Sequence, residues 1–293
     1  MRVRMVFAVA LAFAMLGSVA PVAHAGTGGA FRRVERPRLD QVAALLGPSA
    51  PTTRGDVFNG AFVARGEHPY VGLVVLLNPE TGKVEGECSG SLIRPRYVLT
   101  AGHCTKRARA AVFIPKVVDL RVARPRDVFV VRAVATAPRY SPRTLRDDVG
   151  LLQLSRPAKI RTVPVAGVAD DQRFAGATAT VVGWGAVDRG LKAPNRLRRG
   201  SIELLSNDRC LARWRQVFRP GSMICGGSRV TGACVGDSGG PLLVRDGRDR
   251  WLLLGTTSFG RSACAPGPDG VYARVSSVRT WIERMTGLAP RGA

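Results

Sequence analysis

Residues 232–241 read Gly-Ala-Cys-Val-Gly-Asp-Ser-Gly-Gly-Pro, and the interpretation of the whole chain begins at the serine in this stretch. Glycines around Ser238 allow the backbone to approach a reacting group closely and to turn N–H groups toward a developing negative charge. A serine hydroxyl is a weak nucleophile unless a base stands beside it. Because Gly-x-Ser-x-Gly also suits an ordinary Gly-rich turn, the stretch predicts a nucleophile only if the chain supplies that base.

The chain contains three histidines, and one of them has the context of a catalytic base. His24 lies in the N-terminal leader described below, and His68, in a turn-like stretch, is interpreted as structural. His103 ends a β-type run and is followed by Cys104, which can fix its position. His103 is therefore the candidate base.

Asp148 is the candidate acid because it opens the apolar run Asp-Val-Gly-Leu-Leu-Gln-Leu. A carboxylate at the mouth of such a strand is costly to bury unless it has a partner, and an imidazole N–H is a suitable one. Asp147 precedes it by one residue. In an extended chain its side chain would point to the opposite side, so Asp147 is predicted to be solvated.

The chain order of the candidates excludes one class of serine hydrolase. In α/β-hydrolases, which also carry Gly-x-Ser-x-Gly, the histidine follows the serine. No histidine follows Ser238 here, so the base has to come from upstream, in the order His103, Asp148, Ser238. This is the order of the chymotrypsin type.

Several motifs in sequence resemble those of the chymotrypsin/trypsin-like serine proteases. The resemblance extends from about Val57 to Met285, and each motif stands in the order that the family has. The motifs are Thr100-Ala-Gly-His-Cys104, Asp148-Val-Gly-Leu-Leu152, Gly183-Trp-Gly185, Gly236-Asp-Ser-Gly-Gly-Pro241, Ser258-Phe-Gly260 and Gly270-Val-Tyr272.

Short β-type runs broken by Gly, Pro, Asn and Asp recur from Tyr70 onward and predict an all-β barrel or sandwich. About 230 residues suit two packed units better than one. The resemblance implies two packed six-stranded antiparallel β-barrels at about 57–160 and 170–275, within a protease domain over 57–286. Helical spacing predicts a C-terminal helix over 276–286, capped by Ser276 or Ser277. The catalytic site is then expected in the cleft between the barrels.

The N-terminus has the pattern of a secretory signal peptide over residues 1–25. Arg2 and Arg4 precede the apolar run Met5–Leu16, and Ala23-His-Ala25 is a cleavage site. Residues 26–56 are too few to bury a core and are interpreted as a propeptide or a disordered arm, and residues 287–293 as a tail. No downstream run is long enough to span a membrane. The protein is expected to be secreted.

Activation is predicted by the resemblance, with a departure from the family pattern. Family members are cut to release an Ile-Val-Gly-Gly terminus whose ammonium pairs with the aspartate before the nucleophile. The corresponding residues here are Val57 and Asp237, but Phe58 and Asn59 replace the usual residues and Asp56 precedes the cut. We expect a zymogen whose mature chain starts at Val57.

Six cysteines follow the leader, and export makes disulfides their default state. Six cysteines allow 15 connectivities, and spacing alone does not choose among them. The resemblance implies the pairs Cys88–Cys104, Cys210–Cys225 and Cys234–Cys264. No metal site is expected, because clustered histidines and a C-x-x-C motif are both lacking in the sequence, and no cofactor is expected.

The remaining site residues also come from the resemblance. The N–H groups of Gly236 and Ser238 are expected to form the oxyanion hole, and Ser258-Phe259-Gly260 to pair with the substrate backbone. The primary pocket is expected to have Gly232 and Ala233 at its base and Gly260 and Gly270 along its walls. Since Gly232 provides no carboxylate, an apolar or aromatic side chain is predicted in preference to Arg or Lys.

The net charge of +23 comes mostly from arginine. Such a surface attracts anionic polymers or surfaces, but aromatic residues make up only 6%, which disfavours a specific nucleic-acid function. The expected partners are protein or peptide substrates, and a monomer is expected. Two alternatives stay open: a non-catalytic binding protein on a protease scaffold, and an esterase or acyltransferase on the same fold.

Overall fold

The computed structural model describes residues 29–38, 42, 46, 60–185, 195–229, 231–247, 250–260 and 267–290. In these ranges the short apolar runs form two antiparallel sheets, and each sheet closes on itself. Apolar β-branched side chains suit such strands because they pack well on a pleated, buried surface. Residues Val71–Leu77, for instance, are buried along their whole length.

The first sheet has the strand order β1-β7-β6-β3-β4-β5-β8, and pairing between β7 and β8 closes it into a barrel. Six of its strands form the barrel, and the two-residue β1 is added to β7. The strands are β1 (Arg32–Arg33), β3 (Val71–Leu77), β4 (Val84–Arg94), β5 (Tyr97–Thr100), β6 (Ala110–Pro115), β7 (Phe129–Thr136) and β8 (Gly150–Leu154).

The second sheet has the order β11-β14-β13-β12-β9-β10-β2, and pairing between β10 and β11 closes it. Its edge strand is again a two-residue addition. The strands are β2 (Ala61–Phe62), β9 (Thr178–Gly183), β10 (Arg198–Leu204), β11 (Met223–Ser228), β12 (Pro241–Asp246), β13 (Arg250–Gly260) and β14 (Gly267–Arg274). The prediction of two packed six-stranded antiparallel barrels is therefore confirmed.

Four short α-helices connect or close the barrels in the described ranges: α1 (Gly102–Arg107), α2 (Val168–Arg173), α3 (Asn207–Trp214) and α4 (Arg279–Thr286). Single 3-10 turns lie at Leu120–Val122, Pro125–Asp127, Arg215–Val217 and Val275–Val278. None of the helices in the described part of the chain has the length and apolarity needed to cross a membrane.

The C-terminal helix is present, but it begins later than the sequence suggested. Residues Val275–Val278 form a 3-10 turn, and Val278 rather than a serine precedes the first α-helical residue. Ser276 instead donates a hydrogen bond to the Asp171 carboxylate. Beyond the helix, the carbonyl of Ala289 accepts a hydrogen bond of 2.7 Å from Arg279, which fastens the start of the tail.

One continuous apolar core runs through both barrels and includes large side chains such as Phe113, Trp184 and Tyr272. Hydrogen bonds also join the barrels directly: the N–H of Ser89 in β4 donates to the carbonyl of Ser238 at 2.8 Å. The loop before β12 is thereby held against the first barrel. The candidate site residues lie along this junction.

Candidate active site

His103 lies at the second position of α1, directly after β5 ends at Thr100. The disulfide Cys88–Cys104 ties this helix to β4, so the imidazole is carried by a segment fixed at both ends. Its side chain is 24% exposed, which leaves one side of the ring open to solvent. The position therefore suits a base that has to meet an external reactant.

Asp148 is fully buried, and its carboxylate receives three hydrogen bonds from described residues. Its Oδ1 accepts from the backbone N–H of His103 at 2.8 Å, and its Oδ2 accepts from His103 Nδ1 at 2.8 Å. The hydroxyl of Ser258 donates to the same Oδ2 at 2.6 Å. Because the carboxylate only accepts, the Nδ1 nitrogen carries the ring proton and Nε2 is the basic nitrogen.

Ser238 stands in the loop before β12, close to the helix that carries His103. Cys104 Sγ lies 3.9 Å from the Ser238 carbonyl oxygen. The next residue, Gly239, has a φ of +80°, and a Cβ there would lie 2.6 Å from both the Ala101 nitrogen and the Ser89 oxygen. Only glycine therefore lets the serine loop pack this closely against the start of α1.

The second barrel also holds this loop. The Gly239 N–H donates to the Thr257 carbonyl at 2.8 Å, and the Thr257 N–H donates to the Gly240 carbonyl at 2.8 Å. Since Ser258 follows Thr257 and binds Asp148, strand β13 contacts both the serine loop and the carboxylate. His103, Asp148 and Ser238 thus belong to one hydrogen-bonded junction between the barrels.

Asp237 anchors the loop between the two predicted oxyanion donors, Gly236 and Ser238. It is buried, and its carboxylate accepts from the N–H groups of Gly185 and Cys234, both at 2.7 Å. Burial raises the pKa of Asp237 from 3.8 to about 6, and the two backbone hydrogen bonds oppose that rise only in part. The predicted partner, the amino group of Val57, lies outside the described residues.

This raised pKa predicts a pH dependence for the uncleaved chain. The folded state binds the Asp237 proton more tightly than the unfolded chain, so its stabilisation is complete below about pH 4 and is lost as the pH rises through 6. The rise of the Asp237 pKa from 3.8 to about 6 corresponds to roughly 3 kcal/mol of unfolding free energy. Urea unfolding from pH 4 to 7, compared with Asp237→Asn, measures this contribution. Identical pH profiles for the two proteins would contradict it.

Ser89 fastens the same loop from the first barrel. Its hydroxyl donates to the Gly236 carbonyl at 3.1 Å and accepts from the Trp184 N–H at 3.3 Å. Neither contact could be read from the sequence, because Ser89 and Gly236 are separated by 147 residues. Ser89 therefore acts as a positioning residue for the backbone that carries the predicted oxyanion donors.

We expect Ser89→Ala to lower kcat about 3- to 10-fold with little change in KM, since a hydrogen bond contributes about 1 kcal/mol. The matched control is Ser91→Ala, two residues along β4. Ser91 is equally buried, and its hydroxyl has no hydrogen-bond partner among the described residues. Steady-state kinetics on both variants decides the point, and equal losses in both would contradict the role of Ser89.

The residues predicted to form the primary pocket are described in part. Gly260 and Gly270 pair across β13 and β14, and a Cβ at Gly270 would lie 2.8 Å from the Tyr272 hydroxyl. Phe259 meets Trp214 edge-on, with ring centroids 5.4 Å apart. Gly232 and Ala233 are half-buried ahead of the serine loop. Residues 261–266, between the two walls, are not described.

Two of the three implied disulfides, Cys88–Cys104 and Cys210–Cys225, are present. Cys234 is also disulfide-bonded, and its implied partner Cys264 lies outside the described residues. The second disulfide belongs to a small apolar cluster with Trp214 and Phe218, beside strands β11 and β14.

The prediction that the Asp147 side chain is solvated was wrong. Only 1% of the residue is exposed, and its carboxylate receives hydrogen bonds from Arg139 Nε at 3.1 Å and from the Ser277 hydroxyl at 3.0 Å. The physical reason is its φ of +49°. This left-handed turn replaces the extended geometry that would have sent consecutive side chains to opposite sides.

His68 has the environment of a structural residue. It is buried, and its Nδ1 lies 2.8 Å from the Tyr70 hydroxyl, while its ring packs against Trp251. Burial lowers the pKa of His68 to about 4, so the ring is neutral at physiological pH. His68 therefore packs in the core and is not a candidate base.

The two closed barrels, with the junction between them, define a chymotrypsin-like fold. The family pattern described as Trypsin matches residues 57–282. A trypsin from Saccharopolyspora erythraea is 33% identical over 217 residues, which is 72% of this chain and 89% of that protein. The serine protease filzig of Drosophila melanogaster is 32% identical over 70% of this chain, and the match covers 13% of filzig.

A solved structure of HL collagenase superposes with a TM-score of 0.68 and 27% identity, over 80% of this chain and all of that one. The chain therefore belongs to the trypsin family of serine proteases.

Proposed function

We propose that the chain is a secreted serine endopeptidase that hydrolyses peptide bonds through an acyl-enzyme. The observation that carries the proposal is the hydrogen-bonded His103–Asp148 pair beside the glycine-flanked loop of Ser238. Because Asp148 engages Nδ1, the His103 nitrogen left to accept a proton is Nε2. This is the arrangement that activates a hydroxyl for attack on a carbonyl carbon.

In the proposed reaction the Ser238 oxygen attacks the scissile carbonyl and its proton passes to His103 Nε2. The N–H groups of Gly236 and Ser238 stabilise the resulting oxyanion, and one such donor contributes about 3–4 kcal/mol. The C–N bond then breaks, and the leaving amine takes the proton from His103. Water, deprotonated by the same nitrogen, hydrolyses the ester and restores Ser238.

The proposed primary specificity is for apolar or aromatic side chains. Gly232 contributes no carboxylate to pair with a substrate Arg or Lys, and Gly260 and Gly270 leave the walls without side chains. The neighbouring aromatic contact between Phe259 and Trp214 adds an apolar side to this region. The proposed mature N-terminus is Val57, and full activity in a chain that starts at Gly26 or Gly55 would contradict it.

A cleavage profile of the processed enzyme against a peptide library, combined with labelling by a fluorophosphonate, tests the proposal. We expect stoichiometric labelling of Ser238 and cleavage after large apolar residues. Labelling with turnover of esters but not of amides would indicate an esterase. A folded, processed protein that resists the label would overturn the enzymatic function and favour a binding protein.

A further inference from the structure

The first barrel has an opening along β7 that the N-terminal segment fills. Strands β6 and β7 pair only at Val112 with Val130 and at Phe113 with Phe129. Beyond that point β7 continues, and β1 takes the place of β6 as its neighbour. Arg32 pairs there with Val134, and Arg33 with Ala133. The segment thus adds a strand to the edge of β7, at the place where β6 and β7 separate.

The residues after β1 bridge the two separated strands. The N–H of Val34 donates to the Arg132 carbonyl of β7 at 3.1 Å. The N–H of Glu35 donates to the carbonyl of Arg109, just before β6, at 2.9 Å. Backbone groups on both sides of the opening are therefore satisfied by this segment, and its removal would leave them to water.

Four contacts, made by the side chains of Arg32, Trp281 and Phe31, anchor the segment to the rest of the protein. The Arg32 guanidinium donates to the carbonyl of Ala108 at 2.8 Å and to that of Thr105 at 3.4 Å, at the C-terminal end of α1. Trp281 Nε1, in α4, donates to the Gly29 carbonyl at 2.7 Å. Phe31 meets the Tyr97 ring with centroids 5.9 Å apart.

The segment is also joined to the apolar core. Phe31 and Val34 pack against the main cluster, and Val42 and Leu46 are buried within it, with 2% and 8% of their surfaces exposed. Removal of such apolar side chains from water favours the bound state of the segment. These contacts all lie before the proposed cleavage site at Val57, so a cut there removes none of them.

We infer that the groove between β6, β7 and α1 keeps the protein's own N-terminal segment bound after cleavage, as a non-covalent strand of the first barrel. The attachment has to be non-covalent because residues 26–56 contain no cysteine. The inference rests on the proposed function only for the position of the cut. Arg32 also holds the end of the helix that carries His103, so release of the segment would loosen that helix.

The test uses the full exported chain, with a recognition sequence for a site-specific protease in place of residues 48–54. This sequence supplies the cut even if the natural activation site is elsewhere, so the outcome does not depend on the proposed function. After cleavage, size-exclusion chromatography and mass spectrometry in native buffer show whether the N-terminal peptide elutes with the protease domain. We expect co-elution in native buffer and separation in guanidinium chloride. Separate elution in native buffer would overturn the inference.

Two variants test whether the Arg32 contacts hold the segment in place. Arg32→Ala is expected to speed dissociation of the cut segment about 10-fold or more, because hydrogen bonds to a charged group are among the stronger ones. It is also expected to speed amide hydrogen exchange in α1. The matched control is Arg36→Ala, since Arg36 is exposed and makes no hydrogen bond with the described residues. Equal dissociation and exchange in the two variants would overturn the role given to Arg32.

Discussion

Replacement of Ser238 by alanine is expected to lower kcat by about 10⁶-fold, to the level left by substrate binding and oxyanion stabilisation alone. The expected loss is this large because the proposed mechanism uses Ser238 and His103 as a unit, in which the base has no function without the hydroxyl. Steady-state kinetics on a cleavable peptide and labelling by a fluorophosphonate measure it. Both signals are expected to disappear together.

The fold of the Ser238→Ala variant is expected to be unchanged, since the hydrogen bonds that Ser238 makes within the described part of the chain are accepted by its backbone carbonyl. Its urea midpoint therefore provides the stability check. Ser155→Ala serves as the matched control, because Ser155 is exposed at the end of β8 and its contacts also involve the backbone. Substantial peptide cleavage by Ser238→Ala would remove the basis of the proposed mechanism.

Asp148→Asn is expected to lower kcat/KM by about 10⁴-fold at neutral pH. Asp148 Oδ2 now accepts from both His103 Nδ1 and the Ser258 hydroxyl. An amide NH₂ in this place would donate to Nδ1 and move the ring proton to Nε2. The imidazole could then no longer accept the proton of Ser238.

Asp147→Asn is the matched control for this variant. Asp147 is the adjacent carboxylate and is also buried, but its partners are Arg139 and Ser277 and not the imidazole. We expect a loss of stability of about 1–3 kcal/mol from the weakened buried contacts and less than about a tenfold change in kcat. A loss of activity equal to that of Asp148→Asn would contradict a specific role of Asp148 in orienting the His103 imidazole.

The order of the motifs carried the fold prediction. His103, Asp148 and Ser238 follow one another in the order of the chymotrypsin type. The β-type runs between them match strands of the two barrels. Local patterns also predicted the C-terminal helix. They misplaced its start: residues Val275–Val278 form a 3-10 turn, and the Ser276 hydroxyl donates to Asp171 in α2, a contact that local spacing does not reveal.

Contacts between residues far apart in the chain were not predictable. Ser258 was expected to pair with substrate through its backbone, and no local pattern indicates that its hydroxyl binds Asp148, 110 residues earlier. Ser89 and the serine loop are a second case. In both, a single hydroxyl is oriented by the packing of one barrel against the other.

The position of the N-terminal segment, including strand β1, was also not predictable from the sequence. Residues 26–56 are short, basic and rich in Pro and Gly, so composition alone favours a propeptide or a disordered arm. Within that segment, residues 29–38 lie against the first barrel, with β1 paired to β7. The complementary backbone groups belong to residues about 100 positions downstream, and no property of the segment itself reveals them.

The sequence by itself determined the kinds of chemistry available: one serine among glycines, one suitably placed histidine, one aspartate at the mouth of an apolar strand, and the order that excludes the α/β-hydrolase fold. Only the tertiary structure decided which donors bind the Asp148 carboxylate, that Asp147 is buried, and where the N-terminal segment lies. Residue types and their order are local properties of a chain, whereas hydrogen-bond partners and burial depend on the packing of distant segments against one another.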